Sequence, residues 1–202
     1  MGGSSNAVPI VSKNFCSSSL ISLMVRKRPH VVNGGGFVVT NCSQNVAFVV
    51  DGCGTLGAKG ELMVKDGDGE PILFIRKKGG ILQALSTRNK WNGYSTDYEG
   101  ANKLIFSVTD PKSCFAGNKA TRIRVDPKGH SRDLDFEVNG SFADKACTIR
   151  DCRGNIAAQV GVNEWIGSKD FYHVVVQPGY DQAFVVGVIA ILDNIHGEST
   201  RC

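Results

Sequence analysis

The stretch DQAFVVGVIAILDNIHG, residues 181–197, decides how the rest of the chain must be arranged. Its middle, residues 183–192, carries Phe184, Val185, Val186, Val188, Ile189, Ile191 and Leu192, with Gly187 and Ala190 as its small interior members. Ten helical residues span about 15 Å, half of a hydrocarbon core that needs about 20 apolar residues to cross. A surface helix would also show one charged face, and this run is apolar all round, as is a helix enclosed by protein on every side. Asp181 can cap its start after the turn residues Pro178 and Gly179, and Gly197 can close its end. A further strand is the competing reading, favoured by the β-branched content; length and capping favour the helix.

Working outward, the text from Leu20 to Gln177 consists of short apolar or alternating runs broken by Gly, Asn, Asp and Pro. Such runs are strands joined by turns. They are LISLMV (20–25), GFVVT (36–40), NVAFVV (45–50), ELMVK (61–65), ILFIRK (72–77), KLIFSV (103–108), TRIRV (121–125), DFEV (135–138), CTIR (147–150), NIAAQV (155–160) and FYHVVV (171–176). A large antiparallel sheet followed by one wholly apolar helix implies a sheet closed around that helix.

One pattern recurs without gaps in VTNCSQNVAFVV (39–50), VKDGDGEPILFI (64–75) and IRDCRGNIAAQV (149–160). Asn41, Asp66 and Asp151 each precede by four places an Asn or Glu and then an apolar run, a β-hairpin written three times. The copies are spaced by 25 and 85 residues, which excludes a solenoid of fixed period. DGDGE (66–70) resembles the start of a calcium loop, but Pro71 stands where an EF-hand needs Gly and the flanks read as strands.

The 202 residues suit one large β domain, with 1–19 as a flexible tail, 20–197 as the barrel domain and 198–202 as a short C-terminal tail. Composition is that of a globular protein, with 42% hydrophobic and 21% charged residues. The 23 basic against 19 acidic residues leave +4, compatible with an anionic partner but far from a histone-like balance. Seven dispersed cysteines behind no secretory signal favour a reducing, cytoplasmic or nuclear compartment. No Cys-x-x-Cys occurs and the four histidines are scattered, so no metal site is expected. Gly2 raises N-myristoylation, but Asn6 stands where that pattern wants Ser or Thr.

No Gly-x-Ser-x-Gly, P-loop or His-Glu-x-x-His motif is present, and GNIAAQVG (154–161) lacks the glycine spacing of a dinucleotide site. No catalytic residue and no cofactor are therefore expected. His173, inside an apolar strand, reads as structural, and Cys147 and Cys152 read as small hydrophobes at a turn. What chemistry the chain offers is cationic: Arg26, Lys27 and Arg28; Arg76, Lys77 and Lys78; Arg88 with Lys90 beside Trp91; Arg122 and Arg124; Lys128 with His130. Arg122 and Arg124, two apart, face the same side of a strand. Candidates for contact with an anionic partner are Arg26, Lys27, Arg28, Arg76, Lys77, Lys78, Arg122 and Arg124, because a polyanion needs several cations on one surface. A solvated face, or a guard against edge pairing, is the bland alternative for each.

GFVVTN (36–41), FVVDG (48–52), VKDGDGEPILFIRKK (64–78), KWNGYST (90–96), FEVNGSF (136–142), CTIRDCRGNIAAQV (147–160) and KDFYHVVVQPGYDQAFVVGVIAILD (169–193) together resemble the plant LURP-one-related family. The likeness runs from about residue 20 to about 195, and PGYDQAFVVGVIAILD (178–193) is its most specific piece. It implies a fold similar to the tubby C-terminal domain and phospholipid scramblases: a mainly β, closed antiparallel barrel of about twelve strands around a hydrophobic C-terminal helix. It further implies a non-enzymatic regulatory protein linked to plant defence, binding phosphoinositide membranes or regulating transcription from a membrane tether. A scramblase-like lipid transporter is the alternative. Peripheral membrane attachment, possible protein partners, a monomer and no transmembrane span go with the first reading. The dispersed charge and the lack of a recognition helix disfavour direct nucleic-acid binding. Two departures from the family pattern stand out: GVNEW (161–165) replaces a usual basic pair, and Gln44 stands where the first hairpin usually has Gly.

Overall fold

The computed structural model describes residues 9–29, 35–52, 60–79, 88–96, 102–111, 120–125, 135–162 and 170–196. Twelve antiparallel strands close into one barrel: β1 (Ile21–Lys27), β2 (Gly36–Thr40), β3 (Val46–Asp51), β4 (Glu61–Asp66), β5 (Pro71–Lys77), β6 (Arg88–Thr96), β7 (Asn102–Pro111), β8 (Thr121–Val125), β9 (Phe136–Ser141), β10 (Ala146–Asp151), β11 (Ile156–Val162) and β12 (Phe171–Val176). Each strand pairs with its neighbours in sequence, and β12 closes on β1 from Ile21 opposite Val176 to Arg26 opposite Phe171. Among the described strands none is left at an edge, so each has a neighbour on both sides without a partner chain.

The helix α1 (Gln182–Ile195) lies inside, with residues 183–193 all buried. The inward-facing strand residues Leu23, Val39, Val50, Leu62, Leu73, Ile75, Phe106, Val108, Ile149 and Val174 are at most 1% exposed. Phe184 meets Phe106 edge-on at 5.3 Å and Phe136 at 5.0 Å. Gly187 lets the helix reach the wall, because a Cβ there would lie 2.5 Å from Leu73 Cδ2. The apolar run is therefore a helix rather than a strand, and Asp181 is its N-cap, accepting from the Phe184 N–H at 3.1 Å. Its C-cap is His196, whose N–H bonds the Leu192 carbonyl at 3.0 Å; Gly197, expected to close the helix, lies outside the described residues.

β6 is absent from the strands expected from the sequence. Its text, RNKWNGYST, offers only Trp91 and Tyr94 as large apolar groups, on opposite faces, with polar residues between. Its nine residues are held by long-range pairing with β5 and β7, which local propensity does not reveal.

The three repeated hairpins share one geometry at the barrel end where α1 enters. The side-chain oxygen of Asn41 accepts from the Ser43 and Asn45 N–H groups at 3.0 Å, that of Asp66 from Asp68 and Glu70 at 3.0 and 2.9 Å, and that of Asp151 from Arg153 and Asn155 at 2.9 and 2.8 Å. A register step accompanies each turn, at Val39/Thr40, Val64/Lys65 and Ile149/Arg150. The fourth turn residue takes a left-handed backbone: φ is 91° at Gly69, 83° at Gly154 and 63° at Gln44. Asp66 thus serves a turn and not a calcium loop.

Of the segment 1–19 expected as a tail, residues 9–19 are described, and part of it is docked. The Asp181 Oδ2 accepts the N–H groups of Ile10, Val11 and Ser12 at 3.0, 2.7 and 3.0 Å. A single 3-10 turn follows at Lys13–Phe15, Phe15 packs on Phe48 at 5.5 Å, and Cys16 bridges Asp181. Burial and the nearby Asp181 charge push the Cys16 thiol up.

Candidate functional site

Odd strands run toward the barrel end where α1 finishes and even strands run away from it, so the carboxyl ends of β1 and β5 and the amino end of β8 share that rim. The three candidate basic groups therefore reach one end of the barrel. They do not share one side: β5 is four strands from β1, about 19 Å along the wall at about 4.8 Å per strand.

The β1 group is mostly committed to structure. The Arg28 guanidinium bonds the Asp51 carboxylate, the Val50 carbonyl at 2.7 Å and the Gly35 carbonyl at 3.1 Å. Lys65 adds its ammonium to the other Asp51 oxygen at 2.9 Å. Burial alone would raise the Asp51 carboxyl, but the hydrogen bonds and charges of Arg28 and Lys65 outweigh it and hold the group below the usual carboxylate range. Lys27, only 12% exposed in its side chain, pairs with Asp170 at 3.2 Å. Arg26 alone is exposed, on a wall away from the other groups.

The β5 and β8 groups lie on one stretch of outer wall, joined by a cation on β6 and a hydroxyl on β7. The Lys78 N–H donates to the Lys90 carbonyl at 2.8 Å, Lys90 pairs with Thr109, and Thr109 pairs with Arg122. Trp91, Val108 and Ile123 beside them are buried inward, so the pleat turns Lys90, Thr109 and Arg122 outward. Lys78 and Arg122 are exposed, Lys90 is partly exposed, and none of the three enters an ion pair among the described residues. Beyond Arg122 the next residue across is Glu137, which bounds the patch.

One row further along the strands run Glu61, Arg76, Asn92, Ser107 and Arg124. Arg76 bonds Glu61 at 2.8 Å yet keeps 57% of its side chain exposed; Arg124 stands 3.9 Å from Asp135 with 59% exposed. Lys77 leans over the rim with its ammonium 5.8 Å from the Trp91 ring centre. Arg76, Lys78, Arg122 and Arg124 are thus gathered on the β5–β8 wall, whereas Lys77, in register with the inward Trp91, sits at the rim on the opposite face and is not brought to it. Lys90 completes the patch. The sequence shows it only as a cation beside Trp91, because its strand is not legible there.

Three further ionisable residues are packed into the barrel wall or its turns. Lys145, with a left-handed φ of 54°, is fully buried with its ammonium 3.9 and 4.8 Å from the Phe142 and Tyr172 ring centres. Cys147 beside it has its thiol pushed up to about 11 by burial, which keeps it protonated and unreactive. His173 lies between the buried Tyr172 and Val174 on the outward face, over Gly161. The described residues contain no group of three or more His, Cys, Asp or Glu able to hold a metal ion, and no described helix is long and apolar enough to cross a membrane.

Comparison with known proteins agrees with this architecture. The chain is 54% identical over 194 residues to Protein LURP-one-related 6 of Arabidopsis thaliana, covering 96% of this chain and 98% of that protein. It is 48% identical to Protein LURP-one-related 16 of the same plant, covering 96% and 95%. An X-ray structure of another Arabidopsis thaliana protein superposes with a TM-score of 0.65 at 23% identity, covering 93% of this chain and 98% of that one, which shows a shared fold. The LURP-one-related family model matches residues 21–193, and the chain belongs to that family.

Proposed function

We propose that this protein is a non-enzymatic docking module that seats its β5–β8 wall on an anionic membrane surface, with phosphoinositide headgroups as the ligand class. The observation that carries the reading is the row Lys78, Lys90, Arg122: three outward cations, none in an ion pair among the described residues, with the Thr109 hydroxyl between the last two. The row crosses three strand spacings, about 14 Å of wall, and its long side chains can converge on the phosphates of a polyphosphorylated headgroup; each Lys or Arg near an anionic surface contributes about 1 kcal/mol. Tethered control of transcription linked to plant defence belongs to this reading as its regulatory output: reversible docking would set how much protein is free. The lipid-transporter alternative gains no support from the fold, since it would need α1 to leave an enclosing barrel whose wall buries residues 183–193.

Co-sedimentation with phosphoinositide vesicles against neutral phosphatidylcholine vesicles tests the reading. Specific binding should weaken as salt rises, and Lys78→Ala, Lys90→Ala and Arg122→Ala together should lower it about 100-fold. Arg26→Ala should leave it nearly unchanged. Equal sedimentation with neutral and anionic vesicles, or no sedimentation at low salt, would overturn the proposal.

A further inference from the structure

The outer wall carries a third cross-strand row beyond the cations, and this one is apolar. Met63 pairs with Phe74, Phe74 with Tyr94, and Tyr94 with Leu104, across β4, β5, β6 and β7. All four are partly exposed, on the face opposite the buried Val64, Leu73 and Ile75. The Phe74 and Tyr94 rings lie 6.4 Å apart, and the Tyr94 hydroxyl accepts from the Asn92 amide at 3.1 Å. Arg76 lies over Phe74, its guanidinium carbon 5.2 Å from the ring centre, so cation and ring form one surface. Lys103, exposed, flanks Leu104.

We infer that the Met63–Phe74–Tyr94–Leu104 row is the part of the docking wall that enters the headgroup–acyl boundary of the same anionic lipid surface, which tilts the barrel so that this row lies deepest. The inference rests on the docking reading above and adds a hydrophobic component to it. Lipid is the occupant argued from the cations on the rim side of the row, while the exposed Asp68 and Glu70 of the β4–β5 hairpin bound the row on its other side. The row is continuous with Arg76 and, four residues further along the strands or about 13 Å, with the Lys90–Arg122 row. A cation band beside an aromatic and aliphatic band is the order in which phosphates and acyl chains are met on entering a leaflet. Arg76 can keep its head among phosphates while its stem covers Phe74. Tyr94, with an apolar ring and a hydrogen-bonded hydroxyl, suits the interface.

The test compares the full chain with Phe74→Ser/Tyr94→Ser on phosphoinositide-containing vesicles across a salt series. The wild type should retain a residual binding that salt does not remove, and the double variant should bind about ten-fold more weakly at every salt concentration with the same salt slope. Tyr94→Trp supplies a reporter that keeps the aromatic group: the emission it adds over the wild type, which already carries Trp91 and Trp165, should shift to the blue and be quenched by lipids brominated high on the acyl chain. A double variant that melts as the wild type does and binds equally well, or a Tyr94→Trp protein that binds without quenching, overturns the inference while leaving cationic docking standing. Loss of binding only with the Lys78, Lys90 and Arg122 changes likewise overturns it and leaves cationic docking intact. Absence of any vesicle binding overturns both. Self-association of the wild type that Phe74→Ser/Tyr94→Ser abolishes would assign the row to a contact between copies and overturn it as well.

Discussion

The Asp181 carboxylate takes the backbone N–H of Val11 at 2.7 Å, joining residues 170 positions apart in the chain. The same oxygen accepts from Ile10 and Ser12, and its partner oxygen caps α1 at Phe184. One fully buried side chain thus starts the central helix and anchors the segment before β1. Four backbone donors around one carboxylate offset the desolvation of its charge.

Asp181→Ala should destabilise the fold by about 3 kcal/mol, combining a lost N-cap with three lost charge-assisted hydrogen bonds. A chain lacking residues 1–12 should show a comparable loss, since it leaves the same carboxylate buried with fewer donors. Urea denaturation followed by Trp fluorescence measures both. Midpoints equal to that of the full chain would show that the contact contributes nothing to stability.

The repeated turn predicts a stabilising change. Gln44 holds a φ of 63° where Gly69 and Gly154 occupy the equivalent place. Gln44→Gly should raise stability by about 1 kcal/mol by relieving the left-handed backbone. The reverse change, Gly154→Gln, should cost a similar amount, and the two thermal melts should move in opposite directions.

Acid sensitivity should involve Asp51. Its carboxyl is lowered in the fold, so the stability it contributes is present above the ordinary carboxylate range and is lost as pH falls through its folded value, below about 4. Asp51→Asn should lower stability at neutral pH and flatten the acid limb of the stability profile. Arg28→Ala, which leaves Asp51 buried beside Lys65 alone, should cost about 3 kcal/mol, whereas Lys78→Ala should change stability little. That contrast separates cations that hold the fold from cations offered to a partner.

Alkaline loss should involve Tyr180, which donates its hydroxyl to Asp151 at 2.8 Å. Burial, then the hydrogen bond to Asp151 and its charge, push the phenol up to about 12. The folded state therefore resists ionisation of this group, and stability is lost as pH rises from 10, its ordinary value, toward about 12. Tyr180→Phe should remove part of that alkaline slope and cost about 1 kcal/mol at neutral pH, read from denaturation at about pH 7 and about pH 11.

Sequence by itself determined the closed β architecture around an enclosed helix, because residues 183–192 are too short to span a bilayer and too apolar to face water. It determined eleven of the strands and the three hairpins too, since alternation and Asx chemistry are local signals. Tertiary structure alone decided three further things. β6 exists because β5 and β7 pair with it, and nothing within RNKWNGYST announces that. Residues 10–12 join the domain because a carboxylate far along the chain collects their N–H groups. Which cations are left exposed was also decided only there: Arg28 and Arg76 look alike in the sequence, but one is drawn into a largely buried ion pair with Asp51 while the other, paired with Glu61, keeps more than half of its side chain exposed on the wall that Lys90 and Arg122 share. Charge is written residue by residue, whereas convergence on one surface depends on how twelve strands are ordered around the barrel.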